Sequence, residues 1–322
     1  MPRTYQPGPL IDSTPLGFPK DAAALAAIAD DWTVWALGDV HGCLDPLRLV
    51  LTRAGLLDSD AHWAGGARVA LVGVGDYIDR GPDSAGVVAF LRKLADEVAA
   101  AGSRLILLRG NHEQMLADVL RGSDAWFLTW LTHGGVDCAK SYGVQARNGR
   151  AHRPGAEVRA DLQAAAPDLL PWLLTTLPYA VWRDVLFVHA GLVDGGDVTS
   201  LSDSDLQMWD PGPYYKSKGL AIEPAYSRYR ADGIGRVVVG HSPRGLSVRH
   251  GGTLLMLDAN AGPANPFKPE ALAIVSVPPV GPFVGRAIDR SATVVTIAES
   301  PQFTRSDGVI LVRPRGPLVS PD

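Results

Sequence analysis

Three short stretches of this chain gather carboxylates, imidazoles, an amide and guanidinium groups. They are Gly38-Asp39-Val40-His41-Gly42, Gly75-Asp76-Tyr77-Ile78-Asp79-Arg80-Gly81 and Arg109-Gly110-Asn111-His112-Glu113. Two histidines follow later, His189 in FVHAGL and His241 in VVGHSP. Oxygen donors mixed with imidazoles, without thiolates, suit a first-row metal such as manganese, iron or zinc. Six of these residues suffice for two metals that share one carboxylate. Asp39, His41 and Asp76 would form one site, and Asp76, Asn111, His189 and His241 the other. Asp76 is the natural bridge, since a carboxylate sets two oxygens and a charge against two dications. A metal pair about 3.5–4 Å apart clamps a phosphoryl group and activates a water.

Such side chains need strand ends to hold them. Residues 67–81 (ARVALVGVGDYIDRG) begin as a continuous apolar run, which fits a strand buried on both faces. Gly73 and Gly75 then turn the backbone out of the sheet beside Asp76, Asp79 and Arg80. Ligands in open α/β sheets bind beyond the carboxyl ends of strands. Residues 32–37 (WTVWAL) and 104–108 (RLILL) repeat this grammar, and residues 46–54, 82–98 and 114–120 have helical apolar spacing. Strands over 185–188 and 236–239 end at His189 and His241, and strands over 253–257 and 271–277 complete the core.

The rest is less regular. Residues 122–180 read as an inserted helical cap: an apolar stretch at 126–131, a His133-Gly134-Gly135 turn, a polar loop over 145–155, and helix broken at Pro167 and Pro171. An irregular arm over 1–20 leads into a short Ala-rich helix at 21–29. Residues 202–230 read as a long loop carrying Trp209, Tyr214, Tyr215, Tyr226 and Tyr229, and loops of that length are usually functional. The tail is rich in proline and glycine, with candidate strands at 293–297 and 309–312. The domain reading is therefore an arm at 1–30, a catalytic domain at 31–278 with the cap inside it, and an extension at 279–322.

Composition excludes several classes of function. The 322 residues are 46% hydrophobic and 20% charged, and a net charge of -4 argues against a nucleic-acid surface. Cys43 and Cys138 are too few for a disulfide framework or a thiolate metal site, so a cytoplasmic location is expected. No apolar run reaches the roughly 18–20 residues that cross a bilayer, and the proline-dense start does not read as a signal peptide. Neither nucleic acid nor membrane is an expected partner.

The three ordered blocks resemble the signature motifs of the phosphoprotein phosphatase family of calcineurin-like metallophosphoesterases, in its bacterial serine/threonine form. His189 and His241 match that family's later metal histidines, and the resemblance spans about residues 32–257. It implies an α/β (α+β) sandwich of two mixed β-sheets flanked by helices, with a dimetal site at the strand ends. It also implies phosphomonoester hydrolysis by direct attack of a metal-bridging hydroxide. Two divalent ions would serve, manganese expected and iron or zinc the alternatives. The implied substrate is a phosphorylated protein, on serine, threonine or also tyrosine, or a small phosphoester. His112 matches the family's general acid and Asp79 the partner that orients it, while Arg80 and Arg109 match phosphate-binding residues. Arg244, three residues after His241, is a further candidate substrate contact.

Taken singly, these residues have plainer readings. Asp39 or Asp76 after a strand serves equally well as a helix N-cap. Arg80 or Arg109 could close a structural ion pair, and the aromatic run from 209 to 229 is more often packing than pocket lining. His62, His133, His152 and His250 read as surface or turn residues, with His133 the one to follow because the glycines after it can bring it near the cleft. As an ordered set the residues favour chemistry. Two other functions compete: a diadenosine tetraphosphate-type nucleotide hydrolase and a catalytically dead phosphate-binding protein. Asp79 before Arg80, together with Glu113, favours the protein phosphatase over the first, and the intact ligand set opposes the second.

Overall fold

The computed structural model describes residues 27–191, 233–242, 247–249, 253–259, 261, 272–277, 279–280 and 309–312. In chain order its strands are β1 (Ala27–Ile28), β2 (Thr33–Leu37), β3 (Val69–Gly73), β4 (Arg104–Leu107), β5 (Arg147–Asn148) and β6 (Ala151–His152). They continue as β7 (Ala180–Trp182), β8 (Val185–Phe187), β9 (Arg236–Val239), β10 (Ser247–Arg249), β11 (Leu254–Met256), β12 (Leu272–Val277) and β13 (Val309–Val312). One sheet runs β13-β12-β2-β3-β4, with β2, β3 and β4 parallel and β12 and β13 antiparallel to their neighbours. The other runs β1-β7-β8-β9-β11-β10, parallel from β8 through β9 to β11 and antiparallel where β7 and β10 join. Both are mixed sheets, as the family resemblance implied.

The continuous apolar run at the centre has a physical cause. Side chains alternate along a strand, and β3 is covered on both faces. Val69 and Leu71 pack into the cluster under the flanking helices, while Ala70 and Val72 face the second sheet. There they join Val34, Ala36, Ile106 and Ala273 against Trp182, Val185, Phe187 and Val238. Burying one such Val, Leu or Phe side chain contributes about 1.5–3 kcal/mol, so the strand ends rest on a well-anchored base. The outer face of the second sheet carries its own cluster, including Leu186, Val188, Val237 and Val239.

Helices Leu44–Arg53, Ser84–Ala100 and Asn111–Leu120 follow β2, β3 and β4. Asp83 caps the second of these by accepting the Gly86 N–H at 2.7 Å. The third starts three residues earlier than apolar spacing alone indicates, which puts Asn111 and His112 in its first turn.

Between this third helix and β7 come helices Asp124–Trp130, Val136–Ser141, Gly155–Ala165 and Leu169–Leu173. Their buried Trp130, Cys138, Leu162 and Trp172 share the cluster that covers the first sheet. The polar loop over 145–155 contains the small β5–β6 hairpin. Pro171 does not break a helix: it sits in the first turn of Leu169–Leu173, where a missing N–H has no helical partner to lose. The helix expected at 21–29 is corrected at its described end, because Ala27–Ile28 pairs in parallel with Val181 and Trp182. Pairing and the burial of Ile28 override the helix propensity of alanine there. Val309–Val312 is a strand, as expected, antiparallel to β12. The arm at 1–20, the loop over 202–230, Arg244 and the candidate strand at 293–297 lie outside the described residues. Among the described residues, no helix is long and apolar enough to cross a membrane.

Candidate functional site

Five strands deliver the candidate residues to one end of the two sheets. Asp39 and His41 follow β2, Asp76 follows β3, Asn111 and His112 follow β4, His189 follows β8 and His241 follows β9. The backbone does unusual work to aim them. Of the eight described non-glycine residues with positive φ, five are here: His41 (45°), Asp76 (56°), Asp79 (70°), Arg80 (64°) and His241 (63°). Left-handed conformations of such residues cost about 1–3 kcal/mol each and persist only where surrounding contacts enforce them.

Glu113 supplies much of that enforcement. Its Oε2 accepts the N–H groups of Asp76 (2.8 Å) and Gly110 (2.9 Å), and its Oε1 accepts that of Tyr77 (2.8 Å). A glutamate in the first turn of a helix thus fastens the loop after β3 to the loop after β4. Gly110 is required at this seam, because a Cβ on it would strike Asp76.

Asp76 is the hub. Its Oδ2 lies 3.7 Å from His41 Nε2 and 3.9 Å from His112 Nε2, and its Oδ1 lies 3.4 Å from His189 Nε2. Oδ1 also accepts the His112 N–H at 3.1 Å, but Gly110 is the N-cap of that helix and Asp83 that of the helix after β3, so Asp76 is not the N-cap its place after a strand allowed. Burial alone would push this carboxyl up, but His189, His112 and His41 outweigh that and hold it well below the usual carboxylate range. Two donor groups share it: His41, Asp76 and His112, and Asp76, His189 and His241, with the donor atoms of each group within 4.8 Å of one another.

Two of the imidazoles, His41 and His189, are fixed for ligation through Nε2. His41 Nδ1 donates to the Ile78 carbonyl (3.0 Å) and His189 Nδ1 to the Val74 carbonyl (2.8 Å). Each bond commits the proton to Nδ1 and turns Nε2 inward, the usual arrangement behind metal-binding histidines. Burial, with Arg80 and His112 beside it, pushes His41 well below its ordinary value, which favours the neutral ligand form. Burial pushes His189 the other way from its neighbours, and Asp76 and Asp39 prevail, lifting it to about 9. Asn111 Oδ1 lies 3.1 Å from His189 Nε2 and 2.8 Å from His241 Nδ1.

Asp39 tests whether cations fit. Its Oδ2 accepts the His241 N–H at 2.9 Å, whereas its Oδ1 is buried without a hydrogen-bond partner. Burial and repulsion from Asp258 and Asp76 push its carboxyl well up. Crowded buried carboxylates around an unsatisfied oxygen are the electrostatic situation a dication relieves. The donor set fits metal ions.

Beside the hub sits a second arrangement. Asp79 and His112 are both fully buried, and Asp79 Oδ2 accepts from His112 Nδ1 at 2.7 Å. Burial pushes His112 down to about 3, with Asp76 opposing and Arg80 reinforcing. Arg80 donates through its two terminal nitrogens to His41 Nε2 (2.8 Å) and His112 Nε2 (3.1 Å). Arg109, also buried, donates to Thr176 Oγ1 (3.0 Å) and Gln114 Oε1 (3.2 Å). His133 is exposed, its ring 6.4 Å from that of His112 and its Nδ1 donating to the Thr129 carbonyl at 2.6 Å.

The structure therefore brings together Asp39, His41, Asp76, Asp79, Arg80, Asn111, His112, His189 and His241. Two residues of this neighbourhood have no role in the motif reading. Glu113 appears there only as a marker of family branch, and Trp130, whose indole donates to Asp79 Oδ1 at 2.9 Å, reads as one apolar residue among several.

Comparison with known proteins agrees with this geometry. The calcineurin-like phosphoesterase family profile matches residues 33–260. Shewanella-like protein phosphatase 2 of Arabidopsis thaliana is 42% identical over 217 residues, 60% of this chain and 54% of that protein. Serine/threonine-protein phosphatase 1 of Salmonella typhimurium is 40% identical over 108 residues, 33% of this chain and 41% of that protein. The chain thus spans about half the length of these curated relatives, or less. Among solved structures, a cold-active protein-tyrosine phosphatase of a psychrophilic Shewanella species superposes with a TM-score of 0.53 at 22% identity, covering 81% of this chain and 78% of that one. Since the family profile runs through every strand end that carries a candidate ligand, the chain belongs to the calcineurin-like phosphoesterases.

Proposed function

We propose that this protein is a two-metal phosphomonoesterase acting on phosphoserine and phosphothreonine in proteins, with phosphotyrosine within reach of the same chemistry. The observation that carries this is the double-faced Asp76, whose two oxygens look toward separate imidazole groups beside a buried Asp79–His112 pair. Asp39, His41 and Asp76 would hold one ion, and Asp76, Asn111, His189 and His241 the other. Bound divalent ions would supply Lewis acidity toward the phosphoryl oxygens and lower the pKa of water. Manganese suits the mixed oxygen and imidazole donors, with iron and zinc as alternatives. Cys43 and Cys138, buried and not disulfide-bonded, suit a reducing compartment, so the cytosol belongs to the same proposal.

The side chains would divide the remaining work. A phosphate dianion competes for the Arg80 guanidinium better than neutral imidazoles do, so Arg80 would move from His41 and His112 to the substrate. That frees His112 Nε2. With Asp79 fixing Nδ1 and the Arg80 charge no longer beside it, the ring takes a proton from solvent water at Nε2 and gives it to the leaving oxygen as the ester P–O bond breaks, while the attacking water returns a proton to solvent. Water forms the new P–O bond, and the products are inorganic phosphate and the free hydroxyl. Arg109 is the second proposed phosphate contact and Arg244 a third.

Phosphate release from a phosphoserine peptide, measured with manganese beside cleavage of diadenosine tetraphosphate, tests the reading. The peptide should be preferred. A large preference for the dinucleotide would make the protein a nucleotide hydrolase, and turnover of neither with metal bound would make it a phosphate-binding protein.

A further inference from the structure

We infer that Trp130 is a positioning residue for the proton-donating pair: its indole N–H holds the far oxygen of Asp79, so that the near oxygen keeps His112 aimed at the leaving group. This rests on the general-acid reading of His112 above. Trp130 is fully buried, and a buried indole N–H ordinarily finds some partner. Here the partner is not a convenient backbone carbonyl. Nε1 donates to Asp79 Oδ1 at 2.9 Å, while Oδ2 of that carboxylate lies 2.7 Å from His112 Nδ1. The indole and the imidazole thus grip opposite oxygens of one carboxylate, and the torsion of the carboxylate is set by both.

The glycine pair that follows supports the same assignment. Gly135 has ordinary right-handed helical geometry (φ -62°), so no backbone conformation demands glycine there. Space does: a Cβ on Gly135 would lie 2.7 Å from Trp130 Nε1 and closer still to the ring carbons. Gly134 has a different task. Its φ is 112°, its carbonyl accepts the Arg80 N–H at 3.2 Å, and a Cβ on it would strike the Arg80 backbone nitrogen. One turn of the helical segment therefore fits against two consecutive residues of the loop after β3, Asp79 and Arg80. Both have positive φ and depend on such outside contacts.

The test uses leaving-group chemistry, which a merely structural role would not discriminate. A phosphoserine peptide has a poor leaving group that needs a proton, whereas p-nitrophenyl phosphate has a good one that scarcely does. Correctly placed general acids contribute about 10²–10⁴-fold, so Trp130→Phe should lose about tenfold in kcat on the peptide and less than about twofold on p-nitrophenyl phosphate. Bound manganese per chain should be unchanged. If Trp130→Phe fails to fold, benzothienylalanine at position 130 keeps the ring shape and removes the N–H, and the same split is expected. Equal losses on both substrates, or no loss on either, would overturn the inference. His112→Asn separates it from its premise. A selective peptide loss in His112→Asn without one at position 130 sinks the Trp130 role alone, whereas no selectivity in His112→Asn removes the general acid and the inference with it.

Discussion

The two sides of the site reach their shared aspartate by different routes. On one side His41, Asp76 and His112 come from three adjacent parallel strands of a single sheet, and Arg80 lies against both imidazoles. On the other, Asn111 comes from the first sheet while His189 and His241 come from the second, and Asp39, proposed for the first ion, also borders this side through the His241 N–H that its Oδ2 accepts. The charge differs accordingly. Asp39 faces Asp258, His189 and Asp76, and the negative field there lifts His189 to about 9. A guanidinium on one side and crowded carboxylates on the other make an electrostatic gradient across Asp76. The carboxylate-rich side should hold its cation more tightly, and the guanidinium side should meet the substrate phosphate.

The largest expected effect comes from removing what the two sides share. Asp76→Asn should lower kcat by about 10³-fold or more and leave at most one manganese per chain, measured by metal analysis after desalting. Two ions retained with that substitution would break the shared-ligand picture. Next come substitutions that separate the sides. Both His41→Ala and His241→Ala should slow turnover by about 10²-fold, but their metal titrations should differ. His41→Ala should keep one tightly bound ion, whereas His241→Ala should weaken the first binding event by at least about 10–100-fold, the cost of losing even a ligand's outer hydrogen-bond partner. The reverse order would show that the gradient does not govern affinity. A smaller effect belongs to the seam. Glu113→Gln leaves at least one of the N–H groups it serves poorly paired in a buried place, and should destabilise the fold by about 1–3 kcal/mol in chemical denaturation. An unchanged midpoint would mean that another group fastens these loops.

Much of this was legible in the sequence, and for a stated reason. β3 reads as a two-faced strand because Val69, Ala70, Leu71 and Val72 are all apolar, and the polar residues that break each strand mark where the chain leaves the sheet. His189 and His241 were legible by the same rule. Glu113 was not, because its partners belong to a loop 35–37 residues away that only the parallel pairing of β3 and β4 brings close. Trp130 was hidden for another reason: on an apolar helix a tryptophan looks like core, and its one polar atom is silent until Asp79 lies beside it. The alanines near residue 27 misled in the opposite direction, since local propensity yields to a strand partner more than 150 residues away.

Electron paramagnetic resonance of the manganese-loaded protein tests the bridging aspartate most directly. We expect two Mn²⁺ per chain with the exchange-coupled spectrum of a pair joined by a common ligand, and its collapse to isolated-ion signals in Asp76→Asn. Two ions giving only uncoupled signals in the unsubstituted protein, or a single ion at saturation, would contradict a shared Asp76.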